Sequence, residues 1–240
     1  MIVVVINYTG TVGKTTVSVH LLAPRMSGAS VFAIETINQA ADEHGIAVEK
    51  LRGENFRQLF SKLFGGKPAI IDVGASNVEA FMKNLEGFED AHEEFDYFVV
   101  PVTPGVKEQQ ETVGMISTLL ALGIPGDKIR VLFNRVQHDV QSEFNIVLEY
   151  HARNPVFWLN TECAIGGTEL FDAVSRHGTT IHRLVNDGVD YKKKMAEDIT
   201  TEERARLGDL FGLKLLAKGV NRKLDRVFNV LFDREATTHE

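Results

Sequence analysis

The sequence predicts an α/β fold, a doubly wound and mostly parallel sheet with helices on both faces and a helical C-terminal extension. Short β-branched runs alternate with longer segments of helical periodicity, which is the pattern of βαβ units. Most of the short runs are continuously apolar, as expected for strands that are covered on both faces. After about residue 187 the strand-like runs cease and the remaining pattern is helical.

The elements follow one another in a regular order. Strands are predicted at residues 2–7, 30–34, 69–73, 97–102, 129–133 and 155–159. Helices are predicted at residues 14–23, 55–64, 77–85, 107–122, 140–152 and 168–184. Pro24 ends the first helix, and Gly123 with Pro125 ends the fourth, because proline cannot continue a helix and glycine favours its C-terminal cap.

The domain organisation predicted is one domain at residues 1–186 and a helical extension at residues 187–240, packed on the domain or used for partner contact. Residues 212–232 carry one apolar stripe at helical spacing. Its members are Leu213, Leu216, Val220, Leu224, Val227 and Leu231. Lysines and arginines lie mainly away from that stripe. Three interpretations stay open: a surface or dimer helix, a partner-docking helix, and a basic amphipathic helix that lies on an anionic membrane.

Composition excludes several classes of protein. The chain has 240 residues and a formal net charge of −7, which argues against a protein that coats nucleic acid with its whole surface. Its single cysteine, Cys163, rules out an internal disulfide and fits a reducing compartment. No charged leader precedes the first apolar run, and no window is long enough to span a membrane. We therefore expect a cytoplasmic protein.

The strongest functional signal is the segment at residues 7–16, which reads Asn-Tyr-Thr-Gly-Thr-Val-Gly-Lys-Thr-Thr directly after the first predicted strand. A phosphate chain needs a loop with inward-pointing N–H groups, followed by the start of a helix. Lys14 is placed to reach the β and γ phosphates, the Thr15 hydroxyl to ligate Mg²⁺, and Thr16 to lie near the α phosphate. The predicted phosphate-binding residues are Gly10, Thr11, Val12, Gly13, Lys14, Thr15 and Thr16.

A second signal lies at the end of the strand predicted at residues 69–73. Asp72 sits near its carboxyl end, which is the Walker B arrangement, and Gly74 follows to let the backbone approach a γ phosphate. Magnesium keeps most of its water shell, so such a carboxylate usually holds it through water. Open α/β sheets bind ligands at this edge. Thr15 and Asp72 are therefore the predicted metal residues.

The loop resembles the deviant Walker A motif of the ParA and MinD type P-loop ATPases, Lys-Gly-Gly-Val-Gly-Lys-Thr-Thr. The matching positions are Gly10, Val12, Gly13, Lys14, Thr15 and Thr16. Thr9 stands where that family has its signature lysine, and Thr11 replaces a glycine. In the family this lysine reaches the partner's phosphates in a nucleotide-sandwiched dimer. The resemblance implies a homodimer, and Thr9 makes hydrolysis an open question.

The resemblance also implies roles at two other strand ends. Glu35 falls where the family carries an acidic motif, so it would orient water or magnesium ligands beside the catalytic Lys14 and Asp72; the alternative is an exposed strand-end acid. Asn134 followed by Arg135 falls where a family asparagine recognises the adenine edge. No Asn-Lys-x-Asp guanine motif is present. ATP, with ADP as its product, is therefore favoured over GTP.

Residues 6–16 and 20–25 are most similar to StbB, the plasmid-stability branch of the ParA group, whose members also lack the signature lysine. This similarity implies a role in stabilising or positioning a plasmid with a separate DNA-binding protein, and only indirect contact with DNA. The expected activity is a slow Mg²⁺-dependent ATPase that acts as a switch. The alternatives are an ATP-binding module with little hydrolysis and a P-loop kinase or ligase for a small molecule.

Overall fold

The computed structural model describes residues 1–35, 47–52, 55–63 and 66–233. Within these ranges seven strands form one sheet in the order β3-β2-β4-β1-β5-β6-β7, and every pairing is parallel. The strands are β1 Ile2–Val5, β2 Ser30–Ile34, β3 Val48–Leu51, β4 Ala69–Val73, β5 Tyr97–Val102, β6 Ile129–Val136 and β7 Ala164–Gly166. The predicted α/β fold class is confirmed.

Helices cover both faces of the sheet. The first begins as α-helix at Lys14–Thr16 and continues as π-helix at Val17–Leu22; together they are α1. The others are α2 Phe56–Leu63, α3 Val78–Gly87, α4 Val106–Ala121, α5 Val140–Glu143, α6 Asn145–Arg153, α7 Leu170–Arg176, α8 Ile181–Asn186, α9 Tyr191–Met195 and α10 Thr201–Leu231. Short 3₁₀ turns precede α3, β5 and β6, at Ala75–Asn77, Ala91–Glu94 and Gly126–Lys128.

β1 lies at the centre of the sheet because its run of valines suits a strand that is buried on both faces. Val4 packs with the side chains of α2 to α6 on one face. Val3 and Val5 pack on the other face with α1 and α7 to α10. β1 lies between β4 and β5, so the order of the strands reverses beside it. A reversal of this kind opens a crevice at the carboxyl ends of the strands.

Three expectations about strands were wrong or incomplete. The segment at residues 155–159 is not a strand: only Trp158 bridges Arg130, and Pro155 has no N–H to donate. The strand next to β6 is β7, which comes five residues later and is only three residues long. β3 was not predicted, because Val-Glu-Lys-Leu at the edge of the sheet is half exposed and lacks an apolar run.

Helix boundaries also differ from the prediction. The helix expected at residues 168–184 is divided into α7 and α8 by Gly178, whose φ is +61°. The helix expected at residues 140–152 is divided into α5 and α6. Phe64, predicted in the second helix, lies outside the described residues. In the described ranges no helix is both long and apolar enough to cross a bilayer.

The C-terminal stripe was predicted with one error. α10 is a single helix of 31 residues that begins after Thr200, whose side chain accepts a hydrogen bond from the Glu203 N–H. Its buried side chains are Leu207, Ala217, Leu224, Val227, Phe228 and Leu231. Leu216 is 46% exposed, because the packed face repeats every seven residues through Ala217. One residue along a helix is a turn of about 100°, which carries Leu216 out to solvent.

Candidate functional site

The loop between β1 and α1 has the backbone shape that its glycine predicts. Gly13 has a φ of +80°, in the left-handed region that favours glycine. A Cβ atom there would lie 2.6 Å from Nδ2 of Asn134, so a larger residue would also collide with β6. α1 begins at the next residue, Lys14. The first N–H groups of the helix therefore face the crevice at the carboxyl ends of the strands, beside the point where the strand order reverses. An anion would be stabilised there.

Asn7 supports the start of this loop, a role that its sequence motif did not predict. The Asn7 side chain is fully buried. Its Nδ2 donates to the Pro101 carbonyl at 2.9 Å and to Oγ1 of Thr112 at 2.7 Å. Its Oδ1 accepts from the Thr9 N–H at 3.3 Å. One amide therefore ties the loop to β5 and α4, and the buried polar group is satisfied.

Lys14 is folded back onto the loop. Its Nζ donates to the carbonyl of Asn7 at 3.1 Å and to that of Thr9 at 2.7 Å. Burial lowers the pKa of Lys14, while the charges of Asp72 and Glu111 act in the opposite direction. The ammonium is thus held between two loop carbonyls at the mouth of the crevice. From this position it can donate to a phosphate oxygen without leaving the loop.

Asp72 at the end of β4 meets Thr15 at the start of α1. The side chain of Thr15 hydrogen-bonds the Asp72 carboxylate, which is only 5% exposed. Burial raises the pKa of Asp72 to about 6, although the bond from Thr15 and the charge of Lys14 both lower it, and Glu35 adds to the rise. A hydroxyl beside one carboxylate fits Mg²⁺, which takes few protein ligands and fills its shell with water and phosphate oxygens.

No group of three or more acidic, histidine or cysteine side chains able to hold a metal occurs among the described residues. A dedicated protein cage for a metal is therefore absent from that part of the chain. The pair of Thr15 and Asp72 is the arrangement expected when phosphate oxygens complete the coordination.

Glu35 lies at the adjoining strand end and is half-buried. Its carboxylate forms an ion pair with Nζ of Lys50 on the edge strand β3, at 3.5 Å. The Gly74 N–H donates to the Ile34 carbonyl at 3.0 Å, which joins the ends of β2 and β4. The structure therefore brings Glu35 close enough to Asp72 to affect its pKa. The rest of the acidic motif, residues 36–39, lies outside the described residues.

A cavity of 280 Å³ opens on the other side of the loop, beside Thr16. Its lining residues are Thr16, Asn134, Arg135, Gln137, Gly166, Gly167, Thr168, Phe171 and Asp172. Asn134 donates from Nδ2 to the Val12 carbonyl at 2.8 Å, and its Oδ1 accepts from the Arg135 N–H at 2.9 Å. Asn134 thereby holds the loop as well as lining the cavity. Its contact with a base stays a prediction.

Arg135 adopts a left-handed backbone with a φ of +58°, at the point where the register between β6 and β7 shifts. Such a conformation is costly for a residue with a side chain and concentrates at functional sites. Arg135 is exposed and lines the cavity. The sequence predicted Asn134 and Arg135 at this site, but not Gln137, Thr168 or Asp172. Gln137 follows the end of β6, Thr168 lies in the loop after the unpredicted β7, and Asp172 lies on α7.

The outer rim of the loop carries hydroxyls and a carboxylate. The Oγ1 of Thr9 lies 3.2 Å from Oγ1 of Thr11. Thr11 in turn donates to Oε1 of Glu108 on α4 at 3.2 Å. Glu108 was not predicted. The rim of the loop is therefore joined to α4 through a carboxylate.

Comparisons with solved structures concern the fold of the chain. The chain superposes on a chain of the MinC:MinD cell division protein complex of Aquifex aeolicus with a TM-score of 0.56, over 100% of this chain and 98% of that one. Its fold is that of MinD. MinD from Pyrococcus horikoshii, complexed with Mg-ADP, gives a TM-score of 0.52 over 98% of each chain. A second Aquifex aeolicus MinD gives 0.51 over 83% of this chain and 99% of that one.

The similarity to MinD concerns the fold, because sequence identity to these three structures is only 10%, 13% and 13%. No protein-family model and no curated protein matches the sequence.

Proposed function

We propose that this chain is a ParA/MinD-like ATPase that binds ATP with Mg²⁺ and acts as a nucleotide-dependent switch. The observation that carries the proposal is the meeting of Lys14, Thr15 and Asp72 at the start of α1, beside a cavity that adjoins Thr16. Phosphate and nucleoside would then occupy neighbouring parts of one crevice. The MinD fold supports this assignment, since one of the similar structures is a complex with Mg-ADP.

Each residue of the phosphate side has a distinct task in this proposal. The loop N–H groups from Gly10 to Thr16 would surround the phosphates, and the Lys14 ammonium would donate to the β and γ phosphates from its place beside the loop carbonyls. Thr15 and Asp72 would hold Mg²⁺, which would supply positive charge to the phosphate oxygens. Glu35 and Asp72 border the place where an attacking water would lie.

The nucleoside side is formed by Thr16, Asn134 and Arg135. Thr16 lies between the phosphates and the cavity, so it would contact the α phosphate. Asn134 is fixed by its bonds to the loop, which would present the remaining lone pair of its Oδ1 and its second amide hydrogen to a base. We infer that the base is adenine.

The biological role that we propose is plasmid stability or partition of the StbB kind. The switch would control a homodimer or a contact with a DNA-binding partner protein, and any contact with DNA would be indirect. One of the similar structures is a complex of MinD with a second protein, MinC, and this supports a partner-dependent role. We place the chain in the cytoplasm.

The proposal is tested by measuring ATP and GTP binding and Mg²⁺-dependent phosphate release for the native chain and for Lys14→Ala. Removal of the ammonium should weaken ATP binding at least tenfold, which is about the contribution of one charge-assisted hydrogen bond to affinity. It should also abolish turnover. Lys83→Ala, on the exposed side of α3, is the matched control and should behave as the native chain does. Equal ATP affinity of the native chain and Lys14→Ala would refute the proposed site, and a preference for GTP would refute adenine recognition.

A second candidate function is an ATP-binding module with little hydrolysis. Thr9 and Thr11 bond each other and Glu108 at the rim, so this loop supplies no signature lysine to a partner's phosphates. Tight binding of ATP with no turnover in the same experiment would favour this candidate. Turnover that requires a small acceptor would favour the kinase or ligase alternative.

A further inference from the structure

An aromatic cleft lies on the α2 and α3 face of the sheet, away from the nucleotide site. It has a volume of 510 Å³, and its walls include Phe60 and Phe88, the latter 37% exposed. Four exposed carboxylates surround it: Glu89, Asp90, Glu93 and Glu94. Arg57 is the one base among the described residues of its lining. An apolar floor with an acidic rim fits a partner that carries aliphatic side chains beside positive charges.

No described base neutralises the carboxylates of the rim. None of the four carboxylates forms an ion pair with a described base. Lys128 lies nearby, but its Nζ donates to the backbone carbonyls of Glu93 and Phe95, at 3.2 and 2.9 Å. The charge of the rim is therefore available to a partner.

α10 carries a surface of the opposite kind, which we call the leucine-basic face. Leu215 and Leu216 are 55% and 46% exposed. The exposed bases Lys218, Arg222, Lys223 and Arg226 follow on the next turns of the same side of the helix. None of these four bases is paired with a described carboxylate, because the one nearby acid, Asp225, is bound to Arg25 at 2.7 Å.

The cleft and the leucine-basic face cannot meet within one chain. The residues of α2 and α3 pack on one side of the sheet, and α10 packs on the other. Between two chains, however, the leucines can enter the aromatic cleft while the bases meet its carboxylates. We propose that the leucine-basic face of one copy docks in the aromatic cleft of a second copy, head to tail. Such a contact is heterologous, so it leaves one free cleft and one free face for further copies.

This self-association goes beyond the proposed nucleotide switch and does not depend on it. Neither surface includes a residue of the phosphate loop or of the cavity beside Thr16. Nucleotide-free protein should therefore associate. Because much of the attraction is between exposed charges, the association should weaken as salt screens them.

The test is sedimentation velocity of the full nucleotide-free chain at low salt, over a range of concentrations. The native chain should rise above its monomer mass of 26.7 kDa as concentration increases. A cleft variant, Glu93→Lys with Glu94→Lys, and a helix variant, Arg222→Glu with Lys223→Glu, should each associate at least tenfold more weakly. A chain that carries all four substitutions should associate again, because the two reversed surfaces attract each other.

Two controls separate docking from general effects of charge and folding. Lys193→Glu with Lys194→Glu on α9 makes the same change in charge as the helix variant at exposed positions, and should leave association unchanged. Leu215→Ser with Leu216→Ser removes the aliphatic contact without changing charge, and should weaken association at least tenfold. A mixture of the cleft variant and the helix variant should associate as the four-substitution chain does.

The proposal is overturned by three results. The first is a native chain that stays monomeric up to about 0.5 mM, where a contact of millimolar Kd is already visible. The second is association that neither charge reversal alters. The third is binding of the leucine-basic face to vesicles of anionic phospholipid, lost in the helix variant and unaffected in the cleft variant, without self-association of the native chain.

Discussion

Asp72 ionises in a place where water hardly reaches it. Burial raises its pKa from 3.8 to about 6, against the hydrogen bond of Thr15 and the charge of Lys14. Between pH 4 and pH 6 the folded chain therefore keeps a proton that the unfolded chain has released. This group favours the folded state most below pH 4, and the contribution is lost as pH rises through about 6. At neutral pH the ionised carboxylate of Asp72 therefore lowers the stability of the nucleotide-free protein.

We therefore expect Asp72→Asn to stabilise the nucleotide-free protein at neutral pH. The gain should be about 3 kcal/mol at pH 7.5 and should fall to about 1 kcal/mol at pH 4.5, since each unit of pKa corresponds to about 1.4 kcal/mol. Urea unfolding with EDTA present measures it at both pH values. Asp127→Asn, at an exposed position, is the control for loss of one surface carboxylate. A gain of the same size at both pH values would contradict this origin of the cost.

Residues that the sequence could identify are those that stand in a recognisable local pattern. Gly13, Lys14 and Thr15 form one string, and Asp72 ends an apolar run, so a local pattern was enough to predict that they meet. Asn7 and Glu108 were not predicted because their contacts join distant segments. The Asn7 bond to Pro101 spans 94 residues, and the bond from Thr11 to Glu108 spans 97.

At the scale of elements, Arg25 joins the helix of the phosphate loop to α10. Its Nη1 donates to the carbonyls of His20 and Leu21 at the end of the π-helical part of α1, at 2.9 and 3.1 Å. Its Nη2 donates to the carbonyl and to Oδ1 of Asn221, at 3.0 and 3.1 Å, and pairs with Asp225. A π-helix leaves its last carbonyls open. The guanidinium satisfies two of them and fastens α10 at the same time.

Arg25→Ala should lower the free energy of unfolding by about 2 to 4 kcal/mol, because the carbonyls that it satisfies lie in a partly buried region and lose charge-assisted bonds. Urea denaturation measures the loss. Arg153→Ala is the matched control. Among the described residues that arginine pairs with Glu149 on the surface of α6, and its removal should cost less than about 0.5 kcal/mol. Equal costs for the two variants would show that Arg25 does not fasten α10.

The sequence predicts the first and last residues of a strand correctly where the strand is a continuous apolar run. β2, β4 and β5 begin and end where the pattern indicated, since both of their faces are buried. β3 and β7 gave no such signal because they lie at the two edges and are short. Residues 155–159 form an apolar run of the right length for a strand, but side-chain packing and not strand pairing fixes their position. Phe157 is buried, and Cζ of Arg130 lies 4.3 Å from the centroid of the Trp158 ring.

At the scale of the whole molecule, the described residues form an apolar core on each face of the sheet, and α10 completes the second of them. Leu224, Val227 and Leu231 are buried against the residues of α1, α7 and α8. The predicted boundary at residue 186 thus runs through a packed core. Removal of the extension would expose apolar surface that costs about 25 cal/mol per Å² to hydrate. We expect residues 1–186 and the described part of the extension to unfold as one cooperative unit.

Trp158 offers a direct measurement of that cooperativity. It is the single tryptophan of the chain, and the guanidinium of Arg130 lies over its ring while also pairing with Asp233 at the end of α10, at 2.9 Å. Tryptophan fluorescence therefore reports on the docked end of α10, whereas far-UV circular dichroism reports on all helices. In urea the two transitions should coincide within error, which is the test of a two-state unit. A fluorescence transition that comes first would mean that the extension undocks separately, and the free helix would then be the part of the chain open to a partner.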